Sequence, residues 1–180
     1  MTRPALFLDR DGVINVDTGY VHRIDAVRFL DGIFDLARSA RSSGLARVVV
    51  TNQAGIAHGY FTEPDFARLM AWMRGRFAAA GAPLDGVYYC PHHPEGRGAY
   101  RRACPRRKPA PGMLLQARDE LDLDLTRSVL VGDQERDIAA GRAAGVGTTV
   151  LLRAGADPAA SDADAVVARL RDVARFLRPG

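Results

Sequence analysis

Apolar positions along the chain follow two alternating periods. Short runs, "ALFL" at 5–8, "ARVVVTNQ" at 46–53, "GVYYC" at 86–90, "SVLVGD" at 128–133 and "TTVLL" at 148–152, read as strands. Between them, segments 32–44, 62–81, 112–123 and 135–145 return an apolar residue every three or four positions and read as helices. Thr62 followed by Glu63, Pro64 and Asp65 marks a helix start, and Gly44, Gly81 and Gly145 stand where helices stop. This alternation predicts an α/β fold with a parallel sheet covered by helices on both faces. Residues 91–111 break the rhythm. They are rich in Arg, Pro, Gly and His, which a compact domain tolerates in a functional loop or a disordered one. The tail "ADAVVARLRDVARFLRPG" at 163–180 has helical spacing and predicts a helix packed on the sheet edge.

Composition narrows the picture. With 180 residues, 47% of them apolar, the chain suits one globular domain spanning 1–180. The net charge of +4 comes from arginines spread among nearly as many acids, which favours small anionic ligands over nucleic acid. No stretch has the length to span a bilayer, and "MTRPALFLDRDG" meets an aspartate too early for a signal peptide, so a cytoplasmic protein away from membranes is expected. Low aromatic content and the lack of an apolar surface stripe make a monomer the default. The two cysteines, Cys90 and Cys104, are expected as thiols or metal ligands, because a chain this long does not need a disulfide and the cytoplasm would reduce one.

Four polar clusters fall at carboxyl ends of the predicted strands, where open parallel sheets bind ligands. They are Asp9 with Asp11, Thr51 with Asn52, Lys108 before a helix, and Asp133 with Asp137. Each read alone has a plain structural reading as a turn residue, a cap or a solvated charge. Together they change meaning. Three carboxylates in one crevice repel unless a cation joins them, and Mg²⁺ takes hard oxygen ligands alongside a substrate phosphate. Thr51, Asn52 and Lys108 supply groups that bind phosphate oxygens, Lys108 beside a helix start stiffened by Pro109 and Pro111. The inventory is that of phosphoryl transfer.

The segments "DRDGVIN", "VVVTNQAGIA", "RRKPAPGM" and "VGDQERDI" resemble, in order and spacing, the four motifs of the haloacid dehalogenase superfamily of phosphatases. "DTGYVHRID", "TNQAGIAHGYFTE" and "YYCPHHPEG" resemble one branch of it, the D-glycero-D-manno-heptose 1,7-bisphosphate 7-phosphatases and the related histidinol-phosphate phosphatases. The resemblance runs from Ala5 to about Arg153. It implies a Rossmann-like three-layer sandwich with a mostly parallel sheet and no large cap domain. It also implies that Asp9 attacks phosphorus to form an aspartyl-phosphate and that Asp11 serves as acid, then base. For the first step Asp11 needs its neutral form, which two neighbouring acids would favour. Mg²⁺ would be held by the Asp9 side chain, the Asp11 backbone carbonyl and Asp133. Thr51 and Lys108 would hold the phosphoryl group, with Asp137 in support of Lys108 or the metal shell. Asp17, Gly19, Tyr20, Asn52, Gln53 and Arg107 would bind the substrate, a small phosphorylated sugar.

The chain departs from that branch in its loop at 90–107. Members of the branch close a structural Zn²⁺ site with two further cysteines, but here Cys90, His92 and Cys104 remain and Arg106 stands in the fourth position. His93 is the alternative fourth ligand, and both a weakened zinc site and a metal-free loop stay open. Arg23, Arg101, Arg102, Arg106 and Arg107 suit a substrate with a second phosphate, such as heptose bisphosphate, better than histidinol phosphate. Competing readings are a histidinol-phosphate phosphatase, a DNA 3′-phosphatase, a non-catalytic module binding phosphorylated ligands, and a zinc-stabilised interaction domain. Asp9 and Asp11 together weigh against the binding module, because a second acid there opposes anion binding.

Overall fold

A computed structural model describes residues 2–177. The elements follow the predicted order: β1 (Ala5–Leu8), α1 (Ile33–Ser42), β2 (Ala46–Asn52), α2 (Ala54–His58), α3 (Glu63–Ala79), β3 (Gly86–Cys90), α4 (Gly112–Leu121), β4 (Val129–Gly132), α5 (Glu135–Ala144), β5 (Thr148–Leu152) and β6 (Ala165–Val167). The strands form one sheet of six in the order β3-β2-β1-β4-β5-β6, every pairing parallel. The fold is thus the expected three-layer Rossmann-like α/β sandwich.

Side-chain alternation along the strands builds two cores. Leu6 and Leu8 of β1 join Ile33 and Leu36 of α1 and Phe66, Met70, Met73 and Phe77 of α3 on one face. Ala5 and Phe7 point the other way, to Met113, Leu114 and Ala117 of α4 and Ile138 and Ala140 of α5. All of β1 and β4 is buried, as a parallel strand covered on both sides requires. From β1 the chain winds outward to β2 and β3, then returns beside β1 as β4 and winds the other way. The carboxyl ends of β1 and β4 therefore meet at a switch in winding direction, where a crevice opens.

Local chemistry sets the helix starts. Thr62 Oγ1 accepts from Asp65 N at 3.2 Å while Asp65 Oδ2 accepts from Thr62 N at 2.8 Å, a reciprocal cap on α3. Two elements differ from expectation. The short α2 is a single turn and more, too brief to show a helical period in sequence. The tail forms strand β6 and a 3₁₀ helix over Leu170–Phe176 in place of an α-helix, with Arg178, Pro179 and Gly180 outside the described residues. "AVV" pairs with β5 because its β-branched residues complete the sheet edge, and Leu170, Val173 and Leu177 then cover the first core. The loop at 91–111 is ordered by its own backbone: His93 N donates to Tyr100 O at 3.1 Å and Arg97 N to Ala57 O at 2.8 Å.

Phe77 is fully buried, with its ring against Phe34 and Phe29 at centroid distances of 5.1 and 6.3 Å. Replacing Phe77 by Ala is expected to cost about 3–5 kcal/mol, read as a lower urea midpoint with an unchanged denaturant slope.

Candidate active site

The site starts where β1 ends. The loop after Leu8 turns tightly: Arg10 O accepts from Ile14 N at 2.8 Å and Asn15 N at 3.1 Å, and Gly12 N donates to Asn15 O at 2.7 Å. Gly12 has φ +84°, and a Cβ there would lie 2.3 Å from Asp133 Oδ2, so only glycine lets the β1 and β4 loops approach. Gly132 serves the same closeness on the other side, since a Cβ on it would lie 2.2 Å from Asp137 Cβ.

Lys108 sits at the centre and is 2% exposed. Its Nζ reaches Asp9 Oδ1 at 3.0 Å and Asp137 Oδ1 at 2.7 Å, and donates to Val50 O at 2.9 Å. The ammonium thus makes two ion pairs and one hydrogen bond. The Asn52 amide anchors this lysine through both of its ends: Nδ2 donates to Lys108 O and Oδ1 accepts from Lys108 N, each at 3.0 Å. Asp137 is also double-faced, because its Oδ2 accepts from Gln134 N at 3.0 Å and caps α5. The two aspartates hold the Lys108 ammonium above its ordinary value against the opposing effect of burial. Burial pushes Asp9 up to about 7; Lys108 pulls it down, and Asp137 and Asp133 push it further up. Asp133 is raised chiefly by its own burial.

Asp11 points into a different setting. Its Oδ2 pairs with Arg10 Nη2 at 2.7 Å, and its Oδ1 accepts from Arg10 Nε at 3.1 Å and Asn15 Nδ2 at 3.0 Å. Gln53 Nε2 approaches Asp11 Oδ2 at 3.3 Å and donates to Thr51 Oγ1 at 2.8 Å. The neighbours of Asp11 are therefore donors, while the acids gather around Asp9, so the expectation that two neighbouring acids favour a neutral Asp11 is not met. Arg10, absent from the sequence reading, is fully buried, with its guanidinium 5.8 Å from the Phe66 ring centroid. Its only signal in sequence is its place between two aspartates.

A cavity of about 350 Å³ opens above these groups. Of the residues expected at the site, Asp9, Asp11, Asp17, Gly19, Tyr20, Asn52, Gln53 and Arg107 line it. Thr51 is buried beneath Gln53 and is not among the lining residues. The cavity wall also includes His58, His93 and Arg136, which sequence reasoning did not place there. Among the arginines expected to meet a second phosphate, Arg107 alone lines the cavity; Arg23 pairs with Asp25 at the surface.

Asp9, Asp133 and Asp137 bring carboxylate oxygens within 4.8 Å of one another. Three buried or half-buried acids face one ammonium, and this surplus of hard negative oxygen fits a divalent cation such as Mg²⁺. With Asp137 Oδ1 ion-paired to Lys108 and Oδ2 capping α5, Asp9 and Asp133 are the side chains that would hold it, and the Asp11 carboxylate stands outside the cluster. The second cluster, Cys90, His92 and Cys104, also gathers within 4.8 Å. Burial pushes the Cys90 thiol up to about 11. Burial also raises Cys104, yet Arg106 and Cys90 beside it bring that thiol below its ordinary value. His93 is absent from this cluster and turns to the cavity, its Nδ1 accepting from Glu95 N at 3.1 Å. Three donors with a guanidinium against one of them do not fit a closed structural zinc site, which takes four.

Residues 105–174 match the family described as HAD-hydrolase-like. The chain is 57% identical to the D-glycero-alpha-D-manno-heptose-1,7-bisphosphate 7-phosphatase of Burkholderia mallei, covering 98% of this chain and 95% of that one. It is 50% identical to the D-glycero-beta-D-manno-heptose-1,7-bisphosphate 7-phosphatase of Escherichia coli K12, covering 97% and 94%. Among solved structures, the D,D-heptose 1,7-bisphosphate phosphatase of B. bronchiseptica, complexed with magnesium and phosphate, superposes with a TM-score of 0.82 at 29% identity, covering 97% of each chain.

Adding Mg²⁺ is expected to raise the melting temperature, by an amount equivalent to about 2.7 kcal/mol at a hundredfold excess over Kd. Asp133→Asn is expected to remove most of that shift, read by differential scanning fluorimetry with and without the metal.

Proposed function

The chain belongs to the heptose-1,7-bisphosphate 7-phosphatase family of haloacid dehalogenase-like hydrolases, and we propose that it removes the 7-phosphate of D-glycero-D-manno-heptose 1,7-bisphosphate. One observation carries the reading: a carboxylate at the end of β1, Asp9, is held by a buried lysine and lines a cavity that arginine also lines. Asp9 Oδ1 is occupied by Lys108 Nζ at 3.0 Å and Arg10 N at 2.7 Å, so Oδ2 is the oxygen that attacks phosphorus. The bond from phosphorus to the sugar oxygen breaks as the bond to Asp9 forms, and Asp11 gives its proton to that leaving oxygen. Asp11 then takes a proton from water, which attacks phosphorus and releases inorganic phosphate and Asp9. Mg²⁺ would be held by Asp9, Asp133 and the Asp11 backbone carbonyl, and would supply charge neutralisation between carboxylate and phosphoryl group.

Lys108 balances Asp9 before the reaction. Once Asp9 is an acyl phosphate its Oδ1 becomes a weaker acceptor, and the ammonium turns a donor to the phosphoryl oxygens. Thr51 acts through Gln53, which its hydroxyl orients, and Asn52 acts by fixing the Lys108 backbone. Asp17, Gly19, Tyr20 and Gln53 meet the sugar, and Arg107 meets its second phosphate. This charge favours the bisphosphate over histidinol phosphate, whose amine and imidazole gain nothing from a guanidinium. We take the enzyme to work as a cytoplasmic monomer of one domain. Among the described residues no helix is long and apolar enough to cross a membrane.

Phosphate release should be measured with both anomers of heptose 1,7-bisphosphate, histidinol phosphate and a 3′-phosphorylated oligonucleotide. A heptose bisphosphate anomer is expected to give the highest kcat/KM, and Asp9→Asn is expected to lower kcat roughly 10⁴-fold or more. Preference for histidinol phosphate, or an active Asp9→Asn variant, would overturn the proposal.

A further inference from the structure

Two arginines line the cavity, and they come from opposite sides of the chain. Arg107 belongs to the loop that carries Lys108, and Arg136 to the first turn of α5, one residue before Asp137. Among the described residues neither forms an ion pair. The one side-chain hydrogen bond of Arg107 goes to His92 O at 3.3 Å, and Arg136 has none. Nine other described arginines do pair with an acid, as Arg3 and Arg47 do with Asp85 and Arg118 does with Asp119. Burial, against the pull of Cys90 and with a smaller push from the charge of Arg136, brings the Arg107 guanidinium below its ordinary value. The two cations thus stand near enough to repel across a space that holds no anionic side chain paired to either. The acid on this part of the wall, Asp17, is committed through Oδ1 to Gly19 N at 2.9 Å.

We propose that Arg136 is a specificity-determining residue, which with Arg107 clasps the phosphate that is not cleaved. The proposal rests on the bisphosphatase reading above and extends it to a residue outside the motifs that carried that reading. A phosphate dianion offers oxygens to both guanidinium forks and cancels their repulsion, and a hydroxyl at the same place does neither. The cavity is then graded by charge. One part, with Asp9 and Asp11 over the buried Lys108, processes one phosphate; Tyr20, His58 and His93 line the same space; and the two arginines hold the other phosphate. Neighbouring residues of α5 divide these tasks: Asp137 turns inward to the lysine under the floor, and Arg136 turns to the cavity. The helix that fixes the catalytic lysine also fixes the reach of the substrate's far end.

The test compares heptose 1,7-bisphosphate with heptose 7-phosphate in the wild type, Arg136→Gln and Arg136→Lys, with Mg²⁺ present. The ratio of kcat/KM for bisphosphate over monophosphate is expected to fall at least about tenfold in Arg136→Gln, mostly through KM, with the greater part kept in Arg136→Lys. Arg136 is exposed and without side-chain partners in the protein, so folding should survive both changes. A wild type that prefers the bisphosphate, together with an unchanged ratio in Arg136→Gln, overturns the role of Arg136 alone. A wild type without that preference overturns the bisphosphate reading, and this proposal with it.

Discussion

A buried ammonium bridging two buried carboxylates is the interaction on which the rest of this site depends. Lys108 touches β1 through Asp9, β2 through Val50 O and α5 through Asp137, while its backbone is gripped by Asn52 at the end of β2. Taking these charges out of water is costly, and the cost is offset only when each has a well-placed partner. The arrangement therefore specifies a single geometry more than it adds stability. A shift of α5, β1 or the 91–111 loop leaves a charge stranded, so the ion triad ties three chain segments to one register.

The same triad leaves the site electrically unfinished. Asp9, Asp133 and Asp137 face a single lysine, and burial holds Asp9 up at about 7. A fully balanced site would have no reason to draw in a cation or a phosphoryl group. The imbalance is suited to both: the surplus of carboxylate oxygen would hold Mg²⁺, and the lysine stands ready for phosphoryl oxygens. Gly12 and Gly132 make the crowding sterically feasible, since a side chain at either would strike Asp133 or Asp137. Asp11 is kept apart from this imbalance by Arg10, Asn15 and Gln53, so that two acids separated by one residue live in different surroundings.

Much of this was legible in the sequence. The β/α rhythm predicted the parallel sheet, and strand-end acids with Lys108 predicted where the crevice lies, because strand ends in such sheets converge whatever their sequence separation. What was not legible depends on side-chain direction. Arg10 reads as a charge beside two aspartates, and only the tight 10–15 turn sends it into the interior. Arg136 is adjacent to Asp137 in sequence, yet the helical turn aims one at the cavity and the other beneath it. The arginines that looked suited to a second phosphate are mostly elsewhere, since a loop's charge count carries no information on where its guanidiniums point. The tail misled for a different reason: "AVV" at 165–167 satisfies a helical period, but an open edge on β5 offers it backbone hydrogen bonds.

The loop at 91–111 shows how such a fold separates chemistry from choice of substrate. Its Cys90, His92 and Cys104 cluster lacks a fourth donor, yet the loop is held by other means: Tyr100 OH donates to Glu63 Oε1 at 2.8 Å, and its backbone bonds to Ala57. The contact at Glu63 belongs to α3, and through Ala57 the loop leans on α2; His93 N donates to Tyr100 O and Arg107 Nη1 to His92 O, so both residues hang on this tethered backbone. Lys108, one residue further, is set by the strands instead. A single short segment thus carries one residue fixed by the rigid floor and another fixed by the periphery. Changes at the periphery can re-aim Arg107 without moving Lys108, which is the condition for altering what lies at the far end of a substrate while the phosphoryl chemistry stays where it is.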